Sequence, residues 1–296
     1  MEWQIDKEHD GMVIRDYLQH VHGFSRRMIK IVKFDGGQIC VNDVPKTVRY
    51  ELISGDVLSI VFPPEIKGTY MEPRDVSIDI IYEDEHILII NKQAGIATMP
   101  SSIHPARTIA NGVLNYYKER NIPYTVHVVT RLDRDTTGLI LIAKHRYSHS
   151  LLAVSQRNGL VKRKYKAIME GHLTEPIGTI KEPIGRKEGS IIERMVSEAG
   201  KTAITHYQVL AESEYHSLLE IQLETGRTHQ IRVHFSHIGH PLAGDDLYGG
   251  SKADINRQAL HCYELTFEHP LTNQMITVEA PLPEDMVSIF NRHSND

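Results

Sequence analysis

The chain has 296 residues, of which 41% are hydrophobic and 24% are charged, and its formal net charge is −5 at pH 7. This balance is typical of a globular protein with a sizeable core, and it excludes disordered and fibrous chains. No apolar run approaches the roughly 18 residues that suggest a membrane span. The acidic net charge argues against a protein that coats nucleic acid nonspecifically, although it leaves room for local basic surfaces.

The N-terminus and the cysteines predict a cytoplasmic protein. The opening residues, MEWQIDKEHDG, are acidic and lack the apolar core of a signal peptide, which argues against export. Cys40 and Cys262 are far apart in the sequence and do not build a disulfide framework, as expected in a reducing compartment.

Residues 1–63 are predicted to form a small module that a linker at 64–75 joins to the rest of the chain. Helices are expected over 12–22 and 25–33, before a break at Gly36-Gly37. Strands follow in QICVND and DVLSIVF, and the sequence PPEIKGTYMEPRD then interrupts the pattern as a linker does. Because a module of this size has a small core, we expect it to be accessory rather than catalytic.

The second helix of this module is predicted to present a basic face. Arg26, Lys30 and Lys33 recur at helical spacing, and Ile29 and Val32 are available for the opposite side. A charge run of this kind is commonly a solvated face, and that interpretation stays open.

The stretch FSRRMIKIVKFDGGQICVND, continued by RYELISGDVL, resembles the α-L type RNA-binding module first recognised in a small-subunit ribosomal protein. The resemblance rests on the Ser-Arg at the helix start, the Val-Asn turn and the closing Gly55-Asp56. It implies a surface that contacts RNA phosphates, because arginine, lysine and helix N-termini are common readers of the backbone. The residues implied are Arg26, Arg27, Lys30 and Lys33.

Residues 76–296 are predicted to form one α+β domain with a mixed, mainly antiparallel sheet flanked by helices. Apolar spacing indicates helices in RTIANGVLNYYKER and RYSHSLLAVSQRNG. Two strands are expected around the turn at 83–85, and others in GLILIAK, KYKAIMEG, ITHYQVLAE, SLLEIQLET, ALHCYELTFEH and MITVEAP. Consecutive strands joined by short turns pair antiparallel, and this sets the fold class.

Charged residues separate two apolar runs in VHVVTRLDRDTTGLILIAK, at 126–144. A solvated turn and an active site both explain such a segment. DRDTTG fits the start of a calcium loop, but Lys144 replaces the bidentate glutamate of the twelfth position, so calcium is rejected.

The same residues match D-x-D-x-T and resemble the haloacid-dehalogenase phosphotransferases. In that interpretation Asp133 is the nucleophile and Asp135 the acid/base, while Gly244-Asp245-Asp246 imitates the acidic magnesium motif. The flanking Arg131 and Arg134 compete with a metal ion, and the mainly antiparallel sheet also argues against this family.

The segment LETGRTHQIRVHFSHIGHPLAGDDLYG, at 223–249, is predicted to be a strand end followed by a helix. Thr228 is expected to cap the helix, which places Arg227 at the junction between strand and helix, a common lip of a cleft. The histidines of this segment lack the i, i+4 spacing and third ligand that a metal site prefers, so no metal site is predicted. The sequence also lacks G-x-S-x-G, Walker and dinucleotide motifs.

Taken together, these motifs resemble the RluA/RluD-type pseudouridine synthases, which modify uridines in structured RNA. The resemblance runs from about residue 76 to 283 and includes, in order, YEDEHILIINKQAG, RLDRDTTGLILIAK, KRKYKAIMEG, TGRTHQIRVHFSHIGHPLAGDDLYG and RQALHCYELTFEHPLT. Two positions depart from the family pattern. Gln93 stands where the family usually has proline, and Thr130 stands where a histidine usually precedes Arg-Leu-Asp, which puts any role for a histidine there in doubt.

The resemblance implies an isomerase that breaks the bond between uracil and ribose, turns the base and rejoins it through carbon 5. Asp133 is implied as the catalytic carboxylate, Tyr165 as the active-site aromatic and Arg227 as the ion-pair partner of Asp133. Arg131 is implied to help displace or replace the extruded base. Whether the carboxylate acts as nucleophile or as base at the sugar stays open.

Because the reaction is an isomerisation, no redox, metal or nucleotide cofactor is expected. The expected partner is RNA, with large-subunit ribosomal RNA favoured over transfer RNA, and neither a membrane nor an obligate protein partner is predicted. Two other functions stay open, namely a magnesium-dependent D-x-D-x-T phosphatase and a non-catalytic RNA-binding protein whose N-terminal module does the binding.

Overall fold

The computed structural model describes residues 1–65, 68, 71–101 and 104–292. The N-terminal part combines an antiparallel sheet with helices. Its strands are β1 (Glu2–Gln4), β2 (Gln38–Val41), β3 (Val44–Pro45) and β4 (Val57–Val61), paired in the order β1–β4–β2–β3. Its helices are α1 (Ile14–His20) and α2 (Arg26–Phe34), preceded by a single 3-10 turn at Lys7–His9. The two predicted helices and both predicted strands of this part are confirmed.

Helix α2 is amphipathic in the way its spacing predicts. The hydroxyl of Ser25 caps the helix by accepting a hydrogen bond from the backbone N–H of Met28 at 3.1 Å. Met28, Ile29 and Val32 are buried against the sheet. The side chains of Arg26, Arg27, Lys30 and Lys33 are all exposed.

The larger part is built on one mixed sheet. Its strands are β5 (Ile80–Glu83), β6 (Ile87–Lys92), β7 (His127–Val128), β8 (Thr137–Ala143), β9 (Lys162–Glu170), β10 (Ile177–Ile180), β13 (Thr205–Glu212), β14 (His216–Leu223), β15 (Leu260–Glu268) and β16 (Met275–Glu279). A separate ribbon consists of β11 (Ile184–Arg186) and β12 (Arg194–Val196). The helices are α3 (Ile109–Glu119), α4 (Arg146–Arg157), α5 (Gln230–His237) and α6 (Glu284–Arg292).

The sheet runs in the order β10–β13–β14–β9–β15–β8–β6–β5, with β16 paired to β15 and β7 paired to β8. Among the strand pairs of the described residues, β8 and β15 run parallel and the others run antiparallel. The predicted α+β class with a mixed, mainly antiparallel sheet is therefore confirmed. The small strands β7, β10, β11 and β12 and the helix α6 were not predicted.

The parallel junction in the middle of this sheet depends on a glycine. Gly138 on β8 pairs with Cys262 on β15 and has φ of +108°. A Cβ atom at this position would lie 2.2 Å from the carbonyl oxygen of Cys262, so only glycine fits. Cys262 also pairs with Tyr165 on β9. The register thus brings Tyr165 close to the loop that precedes β8.

Strands β6 and β8 are covered on both faces. Alternate residues of the two strands, such as Ile89 and Leu141, enter the large central core, whereas Ile90 and Ile140 pack against α3 on the other face. All seven residues of β8 are buried. This double coverage explains the continuous apolar run GLILIAK, since a strand with one solvated face would alternate.

The N-terminal part packs against helix α4. The buried ring of Tyr147 joins the N-terminal core, where its centroid lies 4.5 Å from that of Phe24, and its hydroxyl donates to the carbonyl oxygen of His22 at 2.8 Å. In the predicted linker at 64–75, the carboxylate of Glu65 accepts the backbone N–H of Arg146 at 2.9 Å. Positions 66, 67, 69 and 70 of that linker lie outside the described residues.

Candidate active site

A cleft of about 1070 Å³ opens beside the central strands. Its lining includes the loop before β8, the first half of β9 and the start of α5. The predicted residues Asp133, Tyr165, Arg131 and Arg227 all line this cleft. Residues that are up to 96 positions apart in the numbering are therefore gathered around one space, as the family resemblance implies.

Buried polar side chains hold the loop that carries Asp133. The hydroxyl of Thr98 donates to the carbonyl oxygen of Leu132 at 2.8 Å. The hydroxyl of Thr130 accepts the backbone N–H of Leu141 at 2.8 Å, and Thr130 is 1% exposed. In this chain, position 130 is therefore a structural anchor at the start of the loop.

Lys92 is a second anchor of the loop, and sequence reasoning did not identify it. Its buried ammonium donates to the carbonyl oxygens of Gln93, Ile96 and Arg134, at 2.8, 2.9 and 2.7 Å. Burial lowers the pKa of Lys92 to about 7. Because Arg134 directly follows Asp133, this contact ties the end of β6 to the loop that carries Asp133.

The cation that pairs with Asp133 is Arg232. Its Nη1 donates to Oδ2 of Asp133 at 3.1 Å, while Nε and Nη2 bind the two carboxylate oxygens of Asp245 at 2.6 and 2.8 Å. The side chains of Arg232 and Asp245 are 8% and 1% exposed. One buried guanidinium therefore bridges two carboxylates, and it binds the second of them in a bidentate manner.

The predicted pairing of Arg227 with Asp133 is wrong. Arg227 is exposed at the rim of the cleft, and its Nε donates to the carbonyl oxygen of Thr202 at 2.9 Å. The helix also begins later than expected, because its N-cap is His229 rather than Thr228. With this start, Arg232 lies in the first turn of α5 and faces inward.

A signal for Arg232 was nevertheless present in the sequence. The arginine stands between Ile231 and Val233, both buried, in a helix that packs on the sheet. A buried arginine requires carboxylate partners. Asp133 and Asp245 were available as such partners, because the motif analysis had already singled out both as candidate site residues.

The charge of Arg232 is stabilised in place. Burial opposes the charged form, but the hydrogen bonds and negative charges of Asp245 and Asp133 outweigh it and raise the pKa of Arg232 above its ordinary value. The guanidinium also lies over the ring of Tyr248, 4.9 Å from its centroid. Arg232 is thus a permanent cation beside Asp133.

Tyr165 forms part of the inner wall of the cleft. The residue is 3% exposed and is paired across the sheet with Cys262. Burial raises the pKa of Tyr165, so its hydroxyl keeps its proton at neutral pH. Tyr165 and Asp133 line the same cleft.

His229 is a further site residue that sequence reasoning did not assign. Its Nε2 lies 3.8 Å from Oδ2 of Asp133, and its Nδ1 lies 2.8 Å from the hydroxyl of Tyr248. Among the other histidines of this segment, His234 contacts the hydroxyl of Thr205 and the carbonyl oxygen of Glu182, both at 2.9 Å. His234 is therefore held by hydrogen bonds inside the fold.

Each acidic residue of the phosphatase alternative is paired with a cation, and Asp133 shares Arg232 with Asp245. Asp245 is buried on Arg232, Asp135 pairs with its neighbour Arg134 at 2.9 Å, and the exposed Asp246 pairs with Lys252. Over the described residues, no group of three or more His, Cys, Asp or Glu side chains is placed to hold a metal ion.

The rim and walls of the cleft are rich in cations. They are supplied by Arg131, Arg134, Arg157, Lys162, Arg163, Arg227 and Arg232. The chain as a whole is acidic, so this concentration of positive charge is local. Such a surface attracts a polyanion. In the part of the chain that the structure describes, no helix has both the length and the apolarity to cross a membrane.

Comparisons with known proteins identify the family of this chain. Residues 86–237 match the family described as RNA pseudouridylate synthase. An uncharacterised RNA pseudouridine synthase of Bacillus subtilis, YjbO, is 48% identical over 94% of this chain and 98% of its own length. Ribosomal large subunit pseudouridine synthase D of Escherichia coli K12 is 38% identical over 86% of this chain and 80% of its own length.

Solved structures show the same fold. Human RNA pseudouridylate synthase domain containing 1 superposes with a TM-score of 0.61 at 22% identity, over 76% of this chain and 91% of that one. With its family match, its relatives and its cleft taken together, the chain belongs to the RluA/RluD-type RNA pseudouridine synthases, isomerases that convert uridine in RNA to pseudouridine.

Proposed function

We propose that this enzyme forms pseudouridine in large-subunit ribosomal RNA, with Asp133 as its catalytic carboxylate. One observation carries the assignment of Asp133: a single oxygen of its carboxylate is anchored. Oδ2 accepts from Arg232 at 3.1 Å, whereas Oδ1 takes no hydrogen bond from the described residues. Oδ1 is therefore available to a ribose in the cleft. The choice of RNA rests on relatives named ribosomal large subunit pseudouridine synthase D.

The reaction rearranges bonds without any net change in composition. The bond from N1 of uracil to C1′ of the ribose breaks, the base turns, and C5 bonds to C1′. C5 then loses its proton and N1 gains one. Asp133 supplies an electron pair to C1′ or removes a proton from the sugar, and either role needs a negative charge held in a fixed position. Arg232 provides that hold.

Tyr165 and Arg131 are proposed to handle the everted nucleotide. Extruding a base costs a few kcal/mol of stacking and pairing. Stacking on an aromatic ring returns about 1–3 kcal/mol per base, and the ring of Tyr165 is available for this inside the cleft. The exposed Arg131 lines the same cleft, where its planar head can fill the space that the base leaves in the RNA.

The N-terminal part is proposed to be an accessory RNA-binding module in residues 1–63. The support is the exposed basic surface of α2, formed by Arg26, Arg27, Lys30 and Lys33. Such a surface contacts phosphates and adds affinity without reading bases. A ribosomal RNA substrate also agrees with the cytoplasmic location expected from the N-terminus and the cysteines.

The experiment is to map pseudouridine in RNA with and without the enzyme. Ribosomal RNA from cells that lack the protein is compared with RNA from the parent strain, and the purified protein is then added to RNA from the deficient cells. We expect at least one uridine of large-subunit RNA to lose its modification in the deficient cells and to regain it in vitro.

The matched variants are Asp133→Asn and Asp246→Asn. The first removes the proposed catalytic charge and is expected to lower the rate by about a thousandfold or more. The second makes the same chemical change at an exposed position that the phosphatase alternative requires, and it should leave product formation intact. Normal product from Asp133→Asn would contradict the site assignment, and modification confined to transfer RNA would contradict the proposed substrate.

A further inference from the structure

His229 has an unusual backbone conformation for a residue in this position. It is the N-cap of α5 and has φ of +58°, in the left-handed region. Side chains other than glycine adopt this region at a cost of roughly 1 kcal/mol, and such residues persist where their surroundings determine them. The side chain of His229 is 11% exposed, so its position is set by contacts inside the protein.

Those contacts determine which nitrogen of the imidazole carries the proton. The hydroxyl of Tyr248 accepts the backbone N–H of Arg194, on β12, at 2.9 Å. Nδ1 of His229 lies 2.8 Å from this hydroxyl, which has its own hydrogen to donate. With Nδ1 as the acceptor, the proton of the neutral ring is on Nε2.

The protonated nitrogen faces the catalytic carboxylate. Nε2 of His229 lies 3.8 Å from Oδ2 of Asp133, the same oxygen that accepts from Arg232 at 3.1 Å. The first distance is longer than a hydrogen bond, and contacts of this kind commonly tighten when a substrate fills the site. Two donors from the N-terminal turn of α5, His229 at the N-cap and Arg232 three residues later, thus address one oxygen and leave the other open.

Burial favours the neutral form of the His229 ring. Burial lowers the pKa of His229 below 6.5, Asp133 and Asp245 oppose this shift, and Arg232 and Arg194 reinforce it. A neutral donor restrains Oδ2 without adding a second positive charge next to the carboxylate. The electron density on Oδ1 is therefore left for the reaction.

We propose that His229 is a positioning residue for Asp133, locked by Tyr248 in the tautomer whose Nε2–H restrains Oδ2, so that Oδ1 meets the ribose. This inference rests on the proposed role of Asp133. The turn that holds Asp245 and Tyr248 then supports both donors. Asp245 binds Arg232, and Tyr248 binds His229.

The main test is His229→Gly with added imidazole. Glycine removes the ring and also relieves the left-handed backbone, so the thermal midpoint should not fall. A misplaced carboxylate should lower kcat by about 10- to 100-fold while KM changes little. Imidazole in solution should restore part of the rate for this variant and should not affect wild-type enzyme or Asp133→Asn.

A conservative variant and a pH profile separate positioning from simple structural support. His229→Gln keeps a side-chain N–H donor and should retain more activity than His229→Gly. The wild-type kcat should fall on the acid side as the ring protonates below pH 6.5, and His229→Gln should lack that step. If the glycine variant does not fold, His229→Asn serves instead, because asparagine tolerates the left-handed region.

The tautomer is tested without turnover, by nitrogen-15 spectra of the histidine side chains. Wild-type protein should show His229 protonated on Nε2 alone, and Tyr248→Phe should show a mixture of tautomers together with a smaller loss of kcat. The same tautomer in both proteins would overturn the locking by Tyr248. Wild-type kcat in His229→Gly, or a loss that neither imidazole nor glutamine restores, would overturn the positioning role.

Failure of the proposed function would look different. A wild-type protein that modifies no uridine in any RNA would remove the assignment of Asp133, and with it the catalytic meaning of His229. The nitrogen-15 spectra would still decide whether Tyr248 locks the ring.

Discussion

Helix α2 carries four arginines and lysines and helix α5 carries Arg232, and the two helices use these cations in opposite ways. On α2 the arginines and lysines point to solvent, while Met28, Ile29 and Val32 enter the core. On α5 Arg232 points inward, and its side chain is 8% exposed between Asp133 and Asp245. The first arrangement can be read from local spacing. The second depends on carboxylates that lie 99 and 13 residues away in the chain.

The difference shows what each kind of cation contributes. Exposed cations contribute mainly to the total charge of a surface. Replacing one exposed cation by another therefore changes stability little. A buried cation must be paired, because an uncompensated charge in the interior is strongly unfavourable. Arg232 therefore ties the position of Asp133 to the stability of the fold, whereas the surface of α2 has no such link.

The largest effect is expected from breaking the buried bridge. Arg232→Ala leaves Asp245 buried without its partner, which should lower the free energy of unfolding by about 3–5 kcal/mol and abolish pseudouridine formation. Urea denaturation and an RNA modification assay measure the two effects. Arg227→Ala, in the same segment but exposed, should change stability by less than about 0.5 kcal/mol. Equal losses in the two variants would contradict the assignment of Arg232.

Lys92 is a second buried cation, and it holds the loop that carries Asp133. Lys92→Met keeps most of the side-chain volume but removes the donor to three carbonyl oxygens, including that of Arg134. We expect stability to fall by about 2–3 kcal/mol, and kcat to fall because the loop that carries Asp133 loosens. Lys30→Met, on the exposed face of α2, is the matched control and should leave urea denaturation unchanged. A similar midpoint for both variants would contradict the anchoring role of Lys92.

Buried histidines that are neutral in the folded protein make its stability depend on pH. Burial lowers the pKa of His145, the N-cap of α4, from 6.5 to about 4. The unfolded chain therefore binds a proton that the folded protein resists, so stability should fall as the pH drops from 6.5 towards 4, by about 2–3 kcal/mol for this residue. His145→Asn keeps a capping side chain and should reduce this loss. Urea denaturation at pH 7 and pH 4.5 measures it, and an unchanged difference between the two pH values would contradict the prediction.

The smallest effect on stability is expected on α2. Arg27→Glu and Lys30→Glu should change the free energy of unfolding by less than about 0.5 kcal/mol, because both side chains are exposed. If this surface contacts RNA phosphates, affinity should fall and its dependence on salt should become shallower. Filter binding over a range of salt concentrations measures both quantities. Binding equal to wild type at low and high salt would show that α2 is only a solvated face.

Much of the fold could be predicted from sequence because its signals are local. The run GLILIAK, the spacing of α2 and α3 and the alternating strands near the C-terminus all report their burial through neighbouring residues. The elements that were missed, such as β7 and the β11–β12 ribbon, are two or three residues long and carry too little pattern. The prediction that α5 is capped by Thr228 was wrong, because His229 is the N-cap and has a left-handed backbone conformation. In a sequence, this conformation is usually indicated by glycine or asparagine, and position 229 has neither.

The candidate site was predicted in part for the same reason. Asp133 and Tyr165 were identified through motifs, and the structure brings both to one cleft. Within TGRTHQIR, Arg227 was predicted to pair with Asp133 in place of Arg232. The sequence alone does not distinguish these two arginines, which are five residues apart, as partners of a distant carboxylate. Lys92 and His229 were missed because each acts through atoms of distant segments, namely the carbonyl oxygen of Arg134 and the hydroxyl of Tyr248.

The sequence by itself determined the family and the mixed sheet, and it singled out Asp133 as the candidate carboxylate, since periodicity and motif order are properties of adjacent residues. Tertiary structure alone decided which cation holds that residue and which of its oxygens stays free. The physical reason is that ion pairs and hydrogen bonds act over about 3 Å in space, and positions that are nearly a hundred residues apart acquire such a distance only when the strands between them have paired.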